Sequence, residues 1–221
     1  MSPVVVNIVD LIDMGGSDVI ERKLATFSSQ KNPEIEGGNV MVYVFLADGF
    51  EEIEALTPVD LLRRAGADVE TVSIYPGRKT VTGARGIEVN ADITIDGADI
   101  DKAEILVLPG GMPGTVNLLE CKTLMDMVDT QNAKGKRIAA ICAAPARILG
   151  AKGMLEGRRA TCYPGMEDML SGATPVIETV VTDGNITTSR GLGTAVDFAC
   201  ELITLLLGKE RSDEIRASVV A

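Results

Sequence analysis

The chain has 221 residues, a length typical of one domain with a short appendage. Hydrophobic residues make up 46% and charged residues 24%, which is the composition of a folded protein rather than a disordered one. A net charge of −11 and an aromatic content of 3% argue against binding to nucleic acid or to an anionic membrane surface. The sequence contains no His, which excludes Ser-His and Cys-His catalytic pairs and His-ligated metals.

The four cysteines are widely spaced and form no C-x-x-C motif, so we predict neither a zinc site nor a disulfide framework. Residues 1–16 carry two Asp and no Lys or Arg, unlike a secretory signal. No apolar run reaches the ~20 residues that span a bilayer. We therefore expect a protein of the reducing cytoplasm, without a metal and without a membrane partner.

Residues 1–40 differ in character from the rest of the chain. A β-branched run, Val4–Val9, is followed by a plausible short helix at Ser17–Phe27 and by a polar stretch at residues 28–38 that is typical of a linker. The pattern predicts an N-terminal extension or linker, or an extra structural element, of unknown role. The main domain is predicted at residues 41–221.

From residue 41 onward, short apolar runs alternate with amphipathic segments. The predicted strands are Met41–Ala47, Val69–Ile74, Ile105–Leu108, Arg137–Ile141 and Val180–Thr182. The predicted helices are Glu51–Ala65, Leu118–Ala133, Ala143–Ala151, Thr194–Leu207 and Ser212–Val219. This alternation predicts an α/β fold: a flavodoxin-like, doubly wound parallel sheet covered by helices on both faces. In such folds, ligands bind where the strands end at their carboxyl edge.

Residues 137–151 predict a cysteine nucleophile elbow. An apolar strand ends at Ile141, Cys142 occupies the turn, and a helix of small residues follows. A thiol at this position faces the N-terminus of a helix, which is expected to lower its pKa, and the N–H of Ala143 would point at a developing oxyanion. Free cysteines are otherwise mostly buried hydrophobes, and we interpret Cys121, Cys162 and Cys200 in that way.

Residues 47–66 place three carboxylates in the first turn of a helix. The helix dipole by itself explains Glu51 and Glu52. Glu54 can point inward if Glu52 points outward. An inward, desolvated carboxyl has a raised pKa and could donate a hydrogen bond to a Cys142 thiolate.

Two further segments contain glycines at the ends of predicted strands. Gly110 and Gly111 follow a buried strand, and their N–H groups could form an anion nest. Neither this segment nor residues 191–195 matches a nucleotide-binding motif, so no nucleotide is predicted. Arg190, just before the second segment, could bind an anion or contribute to an interface.

Taken together, these segments resemble the ThiJ/PfpI family, the superfamily of the parkinsonism-associated protein deglycase, and its ThiJ branch more than its protease branch. The resemblance covers about residues 41–219 and rests on the motifs DGFEEIEALTPVDLLRRAG, LVLPGGMPG, IAAICAAPA and TTSRGLGTAVDF. It implies Cys142 as nucleophile, Glu54 as its acid partner, and the backbone of Gly111 and Ala143 as the oxyanion pocket. It also implies a cofactor-independent homodimer with a candidate anion pocket formed by Arg64, Arg85 and Arg190.

One position departs from the family pattern. Many members carry a His as third active-site residue, whereas the segment TCYPGMED places Tyr163 there. A phenol with a pKa near 10 is a poor general base at neutral pH. We therefore expect proton transfer to depend on Glu54 or water, and peptide hydrolysis by a Cys-His pair to be absent.

Two functions follow from the resemblance. The first is a glyoxalase or protein deglycase that converts methylglyoxal-type aldehydes or removes early glycation adducts through a Cys142 hemithioacetal. The second is a redox-sensing stress protein or chaperone in which Cys142 is oxidised to sulfinic acid without turnover. Turnover of an aldehyde distinguishes the two.

Overall fold

Seven strands form the central sheet of residues 40–221, which are the residues that this computed structural model describes. Every neighbouring pair is parallel except the pair at one edge, Val180–Asp183 with Ile186–Ser189, which is antiparallel. In spatial order the strands are β10 (Val180–Asp183), β11 (Ile186–Ser189), β7 (Arg137–Ile141), β6 (Ala103–Leu108), β1 (Met41–Leu46), β2 (Asp68–Ser73) and β5 (Ile93–Thr94). The predicted N-terminal extension lies outside the described residues.

Helices cover both faces of this sheet. They are α1 (Glu52–Ala65), α2 (Gly114–Glu120), α3 (Lys122–Ala133), a π-type helix (Pro145–Gly150), α4 (Ala195–Leu207) and α5 (Lys209–Ser218), with short 3₁₀ turns at Ile95–Gly97, Glu167–Met169 and Leu192–Thr194. Within residues 40–221, no helix combines the length and the hydropathy needed to cross a bilayer.

The core consists of two apolar layers, one on each face of the sheet. Successive side chains of β1 alternate between them: Tyr43 and Phe45 join one layer, and Val42, Val44 and Leu46 join the other. The first layer packs on α2, α3 and the π-type helix, and the second packs on α1, α4 and α5. The predicted doubly wound α/β sandwich is confirmed.

Two smaller pairs of strands extend the architecture. The antiparallel hairpin of β3 (Thr80–Thr82) and β4 (Glu88–Asn90) is bonded to the loop after β1, since Gly49 N–H donates to the Thr82 carbonyl at 2.7 Å. The second pair is β8 (Arg159–Ala160) with β9 (Thr174–Pro175). The hairpin brings residues 83–87 beside the start of α1.

Three element predictions need correction. The single helix predicted at Leu118–Ala133 is two helices, because Cys121 adopts an extended conformation with ψ 98° between α2 and α3. The segment after Cys142 is a π-type helix rather than an α-helix, and α5 begins at Lys209, before the predicted Ser212.

Strand β11 was not predicted, although it lies inside the sheet beside β7. Its residues Thr187, Thr188 and Ser189 are polar yet fully buried. Their hydroxyls find partners that the sequence alone cannot reveal: the Ser189 hydroxyl donates to the Thr179 carbonyl at 2.8 Å, and that of Thr188 accepts the Thr161 N–H at 3.0 Å.

Candidate active site

Cys142 lies at the junction between β7 and the π-type helix in a strained backbone conformation. Its φ is 66°, in the left-handed region that non-glycine residues rarely adopt, at a cost of about 1–3 kcal/mol. Backbone hydrogen bonds hold it on both sides: Cys142 N–H donates to the Ser189 carbonyl at 3.0 Å, and Tyr163 N–H donates to the Cys142 carbonyl at 2.8 Å. The thiol is thereby aimed away from the strand, into a cavity at the carboxyl edge of the sheet.

Glu54 is the carboxyl that meets this thiol. It lies in the first turn of α1 and is buried, with 1% of its surface exposed. The side chains of Glu54 and Cys142 are neighbours, since a Cβ on Gly110 would stand close to the Glu54 carboxyl and 3.0 Å from the Cys142 sulfur. Gly110 N–H donates to Glu54 Oε2 at 3.0 Å. Glu51 caps the helix by accepting the Glu54 N–H at 2.8 Å, which fixes the position of Glu54 on the first turn.

Two backbone N–H groups face the Cys142 sulfur, those of Gly111 and Ala143. Gly111 has φ 93°, and a Cβ there would stand 2.6 Å from the Phe50 carbonyl carbon, so only glycine fits this approach. Ala143 begins the turn into the π-type helix. Two N–H donors beside one sulfur can stabilise a negative charge that develops there.

The pKa values of Glu54 and Cys142 agree only in part with those expected from the sequence. Burial raises the pKa of Glu54 to about 7, as predicted. Burial and the neighbouring Glu54 carboxylate raise the pKa of the Cys142 thiol to about 12, and the N–H groups of Ala143 and Gly111 oppose this only in part. The expected lowering of the thiol pKa is therefore outweighed. Between the two values, the pair holds one proton and one negative charge.

The expectation that Glu52 points outward is wrong. It is 3% exposed, and its Oε1 accepts the Arg85 N–H at 2.6 Å. Its Oε2 has no hydrogen-bond partner among the described residues. Glu52 and Glu54 lie two residues apart on α1, so they face different sides, and the β3–β4 hairpin covers Glu52 while the end of the sheet covers Glu54. The sequence could not reveal this, because the hairpin comes later in the chain.

Tyr163 lies at the mouth of the site with 52% of its surface exposed. A Cβ on Gly191 would stand 3.4 Å from the Tyr163 ring and 3.6 Å from Glu54 Oε1, so Tyr163, Glu54 and residue 191 converge. The backbone N–H of Leu192 also opposes the rise in the pKa of Glu54. The glycine segment at residues 191–195 thus contributes to the surroundings of the carboxyl.

The three arginines proposed for an anion pocket lie in different places. Arg85 lines the cavity, and its guanidinium donates to the Ala84 carbonyl at 3.3 Å. Arg64 is exposed on α1, bonds Asp60 at 2.8 Å and does not line the cavity. Arg190 is half-buried near Cys162, and it does not line the cavity either. Burial raises the pKa of the Cys162 thiol to about 11, and the charge of Arg190 opposes this rise only in part.

The cavity in front of Cys142 has a volume of about 800 Å³ and a mostly apolar lining. Its charged lining comes from the Glu residues of α1, from Arg85, and from Arg147 of the π-type helix. Arg147 was not identified as a site residue from the sequence. The one sign of it in the sequence is that a basic residue stands five positions after Cys142. Within residues 40–221, no group of three His, Cys, Asp or Glu side chains is arranged to hold a metal ion.

The sequence profile of the DJ-1/PfpI family matches residues 40–205, which include every residue that lines the cavity. The chain belongs to the DJ-1/PfpI family. A DJ-1 homolog B from Arabidopsis thaliana is 42% identical over 180 residues, which are 81% of this chain and 41% of that protein. The chain therefore spans less than half of the length of this plant member of the DJ-1/PfpI family.

Shorter members of the DJ-1/PfpI family align over nearly their whole length. A deglycase from Pyrococcus abyssi is 36% identical over 168 residues, which are 75% of this chain and 98% of that protein. The structure of oxidised Toxoplasma gondii DJ-1 superposes with a TM-score of 0.79 at 38% identity, covering 82% of this chain and 98% of that one. These comparisons confirm the resemblance and the fold that the sequence predicted.

Proposed function

We propose that this DJ-1/PfpI chain is a cofactor-independent enzyme that converts methylglyoxal-type 2-oxoaldehydes into 2-hydroxy acids or removes early glycation adducts. The observation that carries the proposal is the convergence of Cys142, Glu54 and the N–H groups of Gly111 and Ala143 on one cavity. A relative from Pyrococcus abyssi that is named a deglycase supports the same chemistry. The four cysteines are free, as suits a reducing, cytoplasmic setting.

The first step is attack of the Cys142 sulfur on the aldehyde carbon, which gives a hemithioacetal. The proton that the pair holds moves from the thiol to Glu54 as the C–S bond forms, and then to the new alkoxide oxygen. The N–H groups of Gly111 and Ala143 stabilise the negative charge on that oxygen until it is protonated. Glu54, with a pKa raised to about 7, accepts and returns a proton near neutral pH.

The second step moves hydrogen between adjacent carbons. The Glu54 carboxylate removes the proton from the former aldehyde carbon, and the resulting enediol takes a proton back at the neighbouring carbon. This leaves a thioester of the 2-hydroxy acid on Cys142. Water then cleaves the C–S bond, releasing the hydroxy acid and restoring the thiol, with no net oxidation or reduction.

The test is lactate formation from methylglyoxal by the native chain and by the variants Cys142→Ser and Glu54→Gln. We expect many turnovers from the native chain and a loss of at least about 10²-fold in each variant. Cys121→Ser is the matched control, because Cys121 is half-buried between α2 and α3 and does not line the cavity. Lactate that never exceeds one equivalent per native chain would overturn the proposal.

A redox-sensing role is the second candidate, and Tyr163 is the observation that favours it. With a phenol in place of His and no His anywhere in the sequence, proton transfer depends on Glu54 or water. Peroxide would convert Cys142 to sulfenic and then to sulfinic acid, and a protonated Glu54 would donate a hydrogen bond to the product. Toxoplasma gondii DJ-1 is named as oxidised in its structure. Stoichiometric oxidation of Cys142 without aldehyde turnover would favour this role.

A homodimer is proposed as the working state. Four large apolar side chains and Tyr163 surround the cavity mouth, each between 47% and 54% exposed: Ile53, Ile87, Met112, Leu192 and Tyr163. Such a cluster is unusual on a monomer surface. A second copy of the chain that covers the mouth would exclude water from the pair of Cys142 and Glu54.

A further inference from the structure

Arg147 has no role in the proposed reaction, yet it lines the same cavity. It lies on the π-type helix that follows Cys142, and its backbone N–H donates to the Ala143 carbonyl at 2.9 Å. Five helical residues advance about 7 Å along the axis, so Arg147 stands about one turn beyond the nucleophile. The cavity thus has the Cys142 thiol and, further along the helix that follows it, a guanidinium.

The guanidinium of Arg147 lacks a partner in the part of the chain that the structure describes. Its Nε is buried without a hydrogen bond, and Arg147 forms none of the ion pairs found among residues 40–221. A buried donor without a partner costs about 1–3 kcal/mol. Such a group in a cavity wall is typical of a site that a ligand completes.

From this geometry we infer that Arg147 binds a carboxylate of the substrate, and that the preferred substrates are 2-oxoaldehydes whose carbon chain ends in a carboxylate. The inference rests on the proposed function and narrows its substrate class. A planar guanidinium recognises a carboxylate through two parallel hydrogen bonds. With the carboxylate at Arg147 and the aldehyde at Cys142, the ligand is longer than methylglyoxal, and 4,5-dioxopentanoate is a compound of suitable length.

The charges around the cavity fit this orientation. The carboxyls lie at the start of α1, with Glu51 as its cap and Glu52 and Glu54 in its first turn, whereas Arg147 lies on the helix after the elbow. A substrate that enters with its carboxylate at Arg147 presents only its uncharged dicarbonyl end to the α1 carboxyls. The chemistry at Cys142 is the same as above, and the product is a 2-hydroxy acid with a second carboxylate at its far end.

The first experiment compares kcat/KM for 4,5-dioxopentanoate with that for 2-oxopentanal, which has the same length but no carboxylate. In Arg147→Gln, we expect the ratio of the two values to fall about ten-fold or more, with 2-oxopentanal changed little. Arg147→Lys should restore part of the ratio, because it keeps the charge. Arg159→Gln is the matched control, since Arg159 is exposed, pairs with Glu178 and does not line the cavity.

The second experiment needs no turnover. Iodoacetate and iodoacetamide alkylate a thiol by the same displacement of iodide, but only iodoacetate is anionic. The ratio of their rates at Cys142 therefore measures the local charge, and Arg147→Gln should lower it about five-fold, whereas Arg159→Gln should leave it unchanged.

The two experiments separate the failure of this inference from the failure of the proposed function. If the native chain turns over no aldehyde while the alkylation ratio falls in Arg147→Gln, the enzyme proposal fails and the anion site stands. If both ratios are the same in Arg147→Gln and in the native chain, the inference is overturned. An equal loss with both aldehydes, together with an unchanged alkylation ratio, would show a structural role and would also overturn it.

Discussion

Gly110 and Glu54 are joined by a buried hydrogen bond that leaves no room for a side chain. The N–H of Gly110 donates to Glu54 Oε2 at 3.0 Å. A Cβ on Gly110 would overlap that carboxyl and would stand 2.6 Å from the Cys142 Cβ and 3.0 Å from its sulfur. The glycine therefore sets how closely the acid and the thiol approach each other.

Gly110→Ala is expected to lower the turnover of methylglyoxal by about 10²-fold, because a displacement of the pair by about 1 Å is enough for such a loss. Gly193→Ala is the matched control, since a Cβ there meets nothing within 4 Å. Steady-state kinetics together with circular dichroism spectra of both variants provide the test. Native-like activity of a folded Gly110→Ala would show that the spacing of the pair does not matter.

The raised pKa of Glu54 predicts a pH-dependent stability. The pKa is about 7 in the folded protein against an ordinary 4.5, so the folded chain binds more protons than the unfolded chain between these values. The contribution of the protonated form to stability is fully present below about pH 4.5 and is lost as the pH rises to about 7. Between pH 5 and 8, this loss amounts to about 2–3 kcal/mol.

Glu54→Gln removes this titration, so its free energy of unfolding should rise relative to the native chain by about 2–3 kcal/mol between pH 5 and 8. Urea denaturation of both proteins at several pH values measures the difference, in which the other titrating groups largely cancel. A difference that stays constant with pH would mean that the pKa of Glu54 is not raised.

Tyr163→Phe is expected to change the turnover of methylglyoxal by less than about three-fold, because a phenol is a poor general base at neutral pH. Tyr163→His should raise kcat by about ten-fold or more, since an imidazole supplies general acid–base catalysis at this position. The pH profiles of kcat for the three proteins test both expectations. A loss of more than ten-fold in Tyr163→Phe would assign the hydroxyl a part in the reaction.

Ile53→Arg is expected to convert the proposed dimer into a monomer, because it places a charge in the apolar rim of the cavity mouth. Ile177→Arg is the matched control: Ile177 is the more exposed of the two, at 83%, and does not line the cavity. Sedimentation velocity at micromolar concentration measures the mass of each. If the native chain sediments as a monomer, the proposed homodimer is wrong.

Features that depend on neighbouring residues were accessible from the sequence. The run of apolar residues that ends at Ile141, followed by Cys142 and small residues, predicted the strand, the elbow and the helix in order. The position of Glu54 in the first turn of the helix predicted an inward carboxyl, which the structure confirms, whereas the outward position expected for Glu52 was wrong. The alternation of apolar runs predicted the layers of the fold in the same way.

Features that depend on distant segments were decided only by the tertiary structure. Strand β11 is buried because its hydroxyls meet partners elsewhere in the chain, and Glu52 is buried because the β3–β4 hairpin covers it. The elbow by itself suggested a lowered thiol pKa, whereas desolvation and the Glu54 charge raise it. Burial and electrostatic energy are sums over all surrounding groups, and most of those groups are far apart in the sequence.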